Sequence, residues 1–185
     1  MIKSGRIFQS MHRSQILGNN LALIVVDAQR KFAINRPDWP EIMRPGVEGI
    51  NRYARMFRQA GRPVIFMAFE GETHNPYDGD DGDEWLQGLE VEPSDIIVTK
   101  YAMSSFKGTE LDDVLKKYDT EAVVVVGAYA ELCVAATYFS AVEHDYHAYI
   151  GKGGIIAWTN PGGDEAVELI SGVATEELVR DKLGL

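Results

Sequence analysis

Asp27, Lys100 and Cys133 stand at three separate places where α/β proteins stage chemistry, just beyond the ends of apolar runs. Asp27 follows LALIVV directly, Lys100 follows IIV within IIVTK, and Cys133 closes the stretch GAYAELC in the opening turn of an expected helix. The chemistry they could share is nucleophilic. A thiolate attacks, and a free thiol of ordinary pKa is mostly protonated at neutral pH. A helix N-terminus and a nearby ammonium would favour the thiolate. A carboxylate within hydrogen-bonding reach could instead take the thiol proton and return it to a leaving amine. Backbone N–H groups around Tyr129 and Cys133 would then be placed to hold a developing oxyanion. Each residue also has a plain reading. A lone cysteine is usually a small buried hydrophobe, an aspartate after a strand often caps a loop, and most lysines are solvated. The combination at three strand exits favours the chemical reading over all three.

Such a set must be positioned by a sheet. The runs 21–26, 64–69, 96–98 and 122–126 are strand-sized, rich in β-branched residues and without strict alternation, so they predict strands buried on both faces. A fifth strand is expected over 146–150, and a possible short one over 171–174. Between them, residues 47–59 carry Val47, Ile50, Tyr53, Ala54 and Phe57 at helical spacing, opened by Pro45 and closed by Gly61. Further helices are expected over 109–117, 131–143 and 164–170, and a last one capped by Thr175. Alternating β and α with these connections argue for right-handed crossovers and a mostly parallel sheet. In such sheets ligands bind beyond the carboxyl ends of the strands, near a topological switch point. Residues 70–95 are rich in Gly, Asp, Asn and Pro and read as an excursion over one sheet edge, a candidate lid.

The 185 residues suit one domain, and 45% hydrophobic with 25% charged residues is ordinary for a globular chain. A formal charge of −10 disfavours nucleic-acid binding, which needs concentrated Lys and Arg. No apolar run approaches the ~20 residues that span a bilayer. One cysteine excludes an internal disulfide framework and fits a reducing compartment; with no signal-like leader, a cytoplasmic protein is expected.

The chain resembles the isochorismatase-like hydrolases, which include nicotinamidases and N-carbamoyl amidohydrolases. The likeness runs from about Leu21 to Leu178 and rests on four stretches in order. They are D-x-Q-x-x-F (Asp27, Gln29, Phe32), K-x-x-x-S-x-F-x-x-T-x-L (Lys100, Ser104, Phe106, Thr109, Leu111), G-x-x-x-x-x-C-V (Gly127, Cys133, Val134) and A-T-x-x-x-A (Ala136, Thr137, Ala141). It implies a three-layer αβα, Rossmann-like sandwich on a six-stranded sheet of order 3-2-1-4-5-6, with residues 21–185 as the hydrolase domain and 1–20 as an extension. It further implies a catalytic triad of Asp27, Lys100 and Cys133, and a cis peptide between Ala128 and Tyr129. That bond would aim the Tyr129 and Cys133 amides into an oxyanion hole. Gln29, Phe32, Trp39, Phe106 and Ala128 would line the pocket. The implied substrate is a small amide and the implied assembly a homo-oligomer, a dimer or a tetramer.

The chain also departs from the family pattern. Ala130 and Glu131 occupy turn positions that often carry Thr and then Asn or Asp, and Arg30-Lys31 replaces a common Asn-Asp. Where nicotinamidases carry their metal-binding histidines, this chain reads NRPDWPEI, so no metal and no other cofactor is expected. The departures leave open a second reading, a degenerate member that serves as a ligand-binding or interaction module. Among the remaining features, the acidic run from Asp78 to Glu84 fits a solvated loop better than a calcium loop. His144 and His147 fit two unrelated surface residues better than a metal pair. Gly151-Lys152-Gly153-Gly154 lacks the rest of a phosphate-binding signature.

Overall fold

The computed structural model describes residues 16, 18–33, 38–71, 81–158 and 162–185. Its centre is a six-stranded sheet in the order β3-β2-β1-β4-β5-β6, every neighbouring pair parallel. The strands are β1 (Leu21–Val26), β2 (Val64–Phe69), β3 (Ile96–Lys100), β4 (Ala122–Ala128), β5 (His147–Ile156) and β6 (Val173–Ala174). The expected fold class holds. Within β1, Leu21, Leu23 and Val25 enter one core cluster, whereas Ala22, Ile24 and Val26 enter another. The unbroken apolar run therefore serves two faces at once, because successive side chains alternate across a strand.

Helices α1 (Trp39–Gln59) and α5 (Glu176–Leu183) cover the first face. Helices α2 (Leu111–Lys117), α3 (Ala135–Glu143) and α4 (Gly163–Leu169) cover the second. Helix α1 is longer than the expected 47–59. It begins at Trp39 with Pro40 in its first turn, and Pro45 lies inside it. Proline removes one backbone donor there, but Pro45 and Glu41 are exposed, so water can meet the freed carbonyl. The Thr175 hydroxyl caps α5 by accepting from Leu178 N, as expected.

Strand β5 does not end at Ile150. Ile150 pairs with Val125 and Ile155 with Gly127, so Gly151-Lys152-Gly153-Gly154 is an irregularity inside the strand rather than a loop after it. Small size explains the sequence there: side chains on Gly151 or Gly154 would strike Val126 and Tyr53. Across from them, a Cβ on Gly49 would lie 1.8 Å from the Gly153 carbonyl oxygen, so α1 can approach β5 only without one. Of the expected extension, residues 1–15 and 17 lie outside the described residues, while Ile16 packs into the core.

Candidate active site

The chain leaves β1 through a left-handed residue. Asp27 has φ of 46°, a conformation that Asp tolerates better than most residues, and its N–H reaches the Met67 carbonyl of β2 at 3.2 Å. Lys100 is the last residue of β3 and is fully buried, like Asp27. Its Nζ lies 2.8 Å from Asp27 Oδ2 and donates to the Met103 carbonyl at 2.8 Å. The ammonium also sits 5.7 Å from the centre of the Phe69 ring. Lys100 and Asp27 form an ion pair with no exposure to solvent. The buried Cys133 thiol and the Lys31 ammonium also act on this carboxylate.

Cys133 does not sit in a regular first helical turn. Residues Ala130–Val134 form a π-type turn in which Val134 N bonds Tyr129 O at 3.2 Å, and α3 begins only at Ala135. Wide turns of this kind recur at functional sites. Before it, the Ala128–Tyr129 peptide is cis. Gly127 has φ of 116°, and a Cβ there would lie 2.1 Å from the Val26 carbonyl oxygen, so only glycine lets β4 run this close to the end of β1 beside Asp27.

Burial, against the pull of Lys100, Cys133 and Lys31, raises the Asp27 pKa above the ordinary carboxylate value. Burial and then the Asp27 charge push the Cys133 thiol up to about 12, against the opposing influence of Lys100. The sequence suggested that a helix end and an ammonium would favour the thiolate; desolvation and the Asp27 charge outweigh the ammonium. The arrangement holds a protonated thiol beside a carboxylate of raised basicity. Moving the proton to Asp27 removes one of the two influences that oppose the thiolate and leaves the Lys100 ammonium to stabilise it.

The loop after Lys100 is bolted to the helix after Cys133. Ser105 N and Oγ both meet Thr137 Oγ1, at 3.1 and 2.8 Å, and Ser104 Oγ donates to Ser140 Oγ at 2.7 Å. Thr109 Oγ1 donates to the Ser105 carbonyl and accepts from Leu111 N, joining the loop to α2. Ser105 and Thr137 are both fully buried.

Residues 21–175 match the isochorismatase domain as a protein family. The chain belongs to the isochorismatase family of hydrolases. The crystal structure of N-carbamoylsarcosine amidase from Thermoplasma acidophilum superposes with a TM-score of 0.70 at 27% identity, over 84% of this chain and 95% of the amidase. A secreted isochorismatase effector of Verticillium dahliae is 24% identical over 148 residues, 78% of this chain and 76% of the effector. The streptothricin hydrolase of Streptomyces noursei is 31% identical over 140 residues, 69% of this chain and 54% of that enzyme.

Around the hydrolase's three buried groups, the other residues singled out by sequence take different places. Phe32 stands between Phe69 and Tyr129, with ring centres 5.7 and 6.1 Å away. Ala128 is buried at the end of β4. The Gln29 side chain is spent on backbone: it accepts from Phe69 N at 2.8 Å and donates weakly to the Phe69 and Asp83 carbonyls. Trp39 packs at the start of α1 against the first core cluster. Phe106 stacks on His144 at 4.6 Å and leans on Tyr146 at 6.0 Å.

The described part of the acidic run is solvated at Asp83 and Glu84, as composition suggested, and is also paired. Asp81 and Glu84 pair with Arg30, and Asp83 pairs with Lys31; Asp78 and Asp80 lie outside the described residues. Backbone bonds from Arg30 N to Glu84 O and from Lys31 N to Gly82 O, both 2.8 Å, fix the same register. The opposite charges of Lys31 and the acidic residues are the sequence signal for this contact. No motif in the sequence marks Trp158, whose ring lies 5.0 Å from that of Tyr129. Among the described residues, no three His, Cys, Asp or Glu side chains group closely enough to hold a metal ion. A cleft of about 680 Å³ lined by Asp38, Arg44, Glu48 and Gln87 includes none of the three buried groups, and their chemistry outweighs its size. None of the helices among the described residues is long and apolar enough to cross a membrane.

Proposed function

We propose that this hydrolase cleaves the C–N bond of a small amide or ureide through a thioester on Cys133, with Asp27, Lys100 and Cys133 as its catalytic triad. The observation that carries the reading is the buried Asp27–Lys100 ion pair set against a buried thiol. Names among the relatives, an amidase and a streptothricin hydrolase, favour C–N chemistry.

Asp27 takes the thiol proton as the sulfur attacks the carbonyl carbon. Lys100 stabilises the charged states of the pair, and the Tyr129 and Cys133 amides hold the tetrahedral oxyanion. Asp27 protonates the departing ammonia or amine, the C–N bond breaks and an acyl thioester remains. Asp27 then activates a water whose attack on the thioester releases the acid and returns the proton to sulfur. Gln29, Phe32, Trp39, Phe106 and Ala128 line the substrate pocket in this reading. The protein works without a metal or other cofactor in this reading. It acts in the cytoplasm, where a lone thiol stays reduced, and as a homo-oligomer, dimer or tetramer. Residues 21–185 make up the hydrolase domain, with 1–20 as an extension.

A panel of small amides and ureides, followed by ammonia release, tests the reaction. Cys133→Ala abolishes turnover of whichever substrate is found, and mass spectrometry of quenched wild-type enzyme finds an acyl adduct on Cys133. An unchanged rate in Cys133→Ala rules the mechanism out. The competing module reading requires that no small amide is turned over and that no acyl adduct forms on Cys133.

A further inference from the structure

Glu131 lies in the turn between Tyr129 and Cys133, one of the positions where this chain departs from the family pattern. Side chains two residues apart on a helical turn point to opposite sides. With Cys133 turned toward Asp27, Glu131 points away from the reacting sulfur. Its carboxylate goes to the connection between β5 and α4. Oε2 accepts the Trp158 N–H at 2.9 Å, just after β5 ends at Ile156. Oε1 lies against Gly163, the first residue of α4, where a Cβ would come within 1.9 Å of it. Thus one carboxylate touches both ends of the connection. The circuit closes through side chains, because the Trp158 indole tilts against the Tyr129 ring at 5.0 Å and 47°. Among the described residues Oε1 is buried without a donor, a cost that a side chain serving only to fill space would not need to carry.

We propose that Glu131 is a positioning residue. It clamps the catalytic turn from behind by holding the β5–α4 connection to it, and so fixes the Tyr129 and Cys133 amides relative to the thiol. This role rests on the function proposed above. Glu is suited to the position because its carboxylate reaches across to Trp158 from the back of the turn, and Gly163 is the complementary vacancy that admits it.

Three variants test the clamp. Glu131→Ala removes it, Glu131→Gln keeps an acceptor for Trp158 N–H, and Gly163→Ala displaces an intact carboxylate. A misplacement of about 1 Å near reacting groups costs about 100-fold in rate, so Glu131→Ala and Gly163→Ala are expected to lower kcat by about that factor. KM should change little, and Glu131→Gln should stay within about threefold of wild type by the same reasoning. Hydrogen exchange gives a readout that needs no substrate: amide exchange at Trp158 and across 129–134 rises together in Glu131→Ala. Unchanged exchange there overturns the clamp, whatever the enzyme's activity. So does a Glu131→Gln variant as impaired as Glu131→Ala, or a Glu131→Ala variant with lowered Tm and wild-type kcat. Failure of the wild-type protein to hydrolyse any amide counts against the proposed reaction and leaves the exchange result to decide the clamp.

Discussion

Asp27 and Lys100 are charges with no exposure to solvent, and burying such a pair costs several kcal/mol per ion before their attraction offsets it. Nothing in folding alone requires them, since an apolar pair of similar volume would fill the space at least as well. The two residues therefore make separable predictions. Asp27→Asn leaves the Lys100 ammonium buried without a counter-charge and is expected to destabilise the fold by about 3–5 kcal/mol. The double variant Asp27→Asn with Lys100→Met, which keeps a residue that tolerates the left-handed φ at position 27, should recover most of that loss while remaining inactive, measured by urea denaturation and by amide turnover. A double variant no more stable than Asp27→Asn would contradict this account of the pair. The pH profile follows from the same burial. Asp27 must be ionised to accept the thiol proton, and its pKa lies above the ordinary carboxylate value. Activity should accordingly fall as pH drops through a midpoint above about 4, the unperturbed carboxylate value. That midpoint belongs to the coupled Asp27–Cys133 pair rather than to one residue. A plot of kcat/KM against pH that stays flat down to pH 4 would contradict a raised Asp27.

At the scale of elements, the brace between the Lys100 loop and α3 matters as much as the strands. Thr137→Val keeps the shape but deprives the buried Ser105 N–H and hydroxyl of their shared partner. An unsatisfied buried polar group costs about 1–3 kcal/mol, so the denaturation midpoint should fall. The rate should fall with it, because the loop holding Lys100 is no longer fixed to the helix that follows Cys133. Ser104→Ala, which loses two partly buried bonds that water can replace, one to Ser140 Oγ and one from Phe106 N, should have the smaller effect on both measurements. The sequence showed Ser104, Thr109 and Thr137 as motif letters but could not show that they meet, since their partners are 30 or more positions away or depend on the fold. The strands were legible because burial on both faces demands apolar residues at every position. Helix α1 was misread at its start because Pro45 looks like an opening residue, and only its exposure reveals why it can lie inside. The irregularity at Gly151–Gly154 looked like a loop because glycine signals both a chain turn and a close approach of backbones, here that of α1. The π-type turn at 130–134 left no periodic signal in five residues.

For the whole molecule, the open question is what meets the apolar residues left on the surface. Tyr101 and Met103 on the Lys100 loop are 68% and 51% exposed, and Phe139 on α3 is 45% exposed. The two segments are joined by the Ser104–Ser140 hydrogen bond, so these side chains belong to one region of the surface. Exposed apolar residues scattered singly need no explanation, whereas large ones on adjoining segments are what a subunit interface would cover. A second copy of the chain is the occupant consistent with the homo-oligomer proposed above. Light scattering should then give a mass of at least twice 20.5 kDa. Phe139→Asp is expected to shift the protein toward the monomer, since a carboxylate buried in an apolar contact must be desolvated. The same loop and helix adjoin Lys100 and Cys133, so dissociation should loosen the active site and lower the rate. Diluting the wild-type enzyme to the concentration at which it dissociates should reproduce that loss. A monomeric wild-type protein with full activity would remove the second copy from this surface.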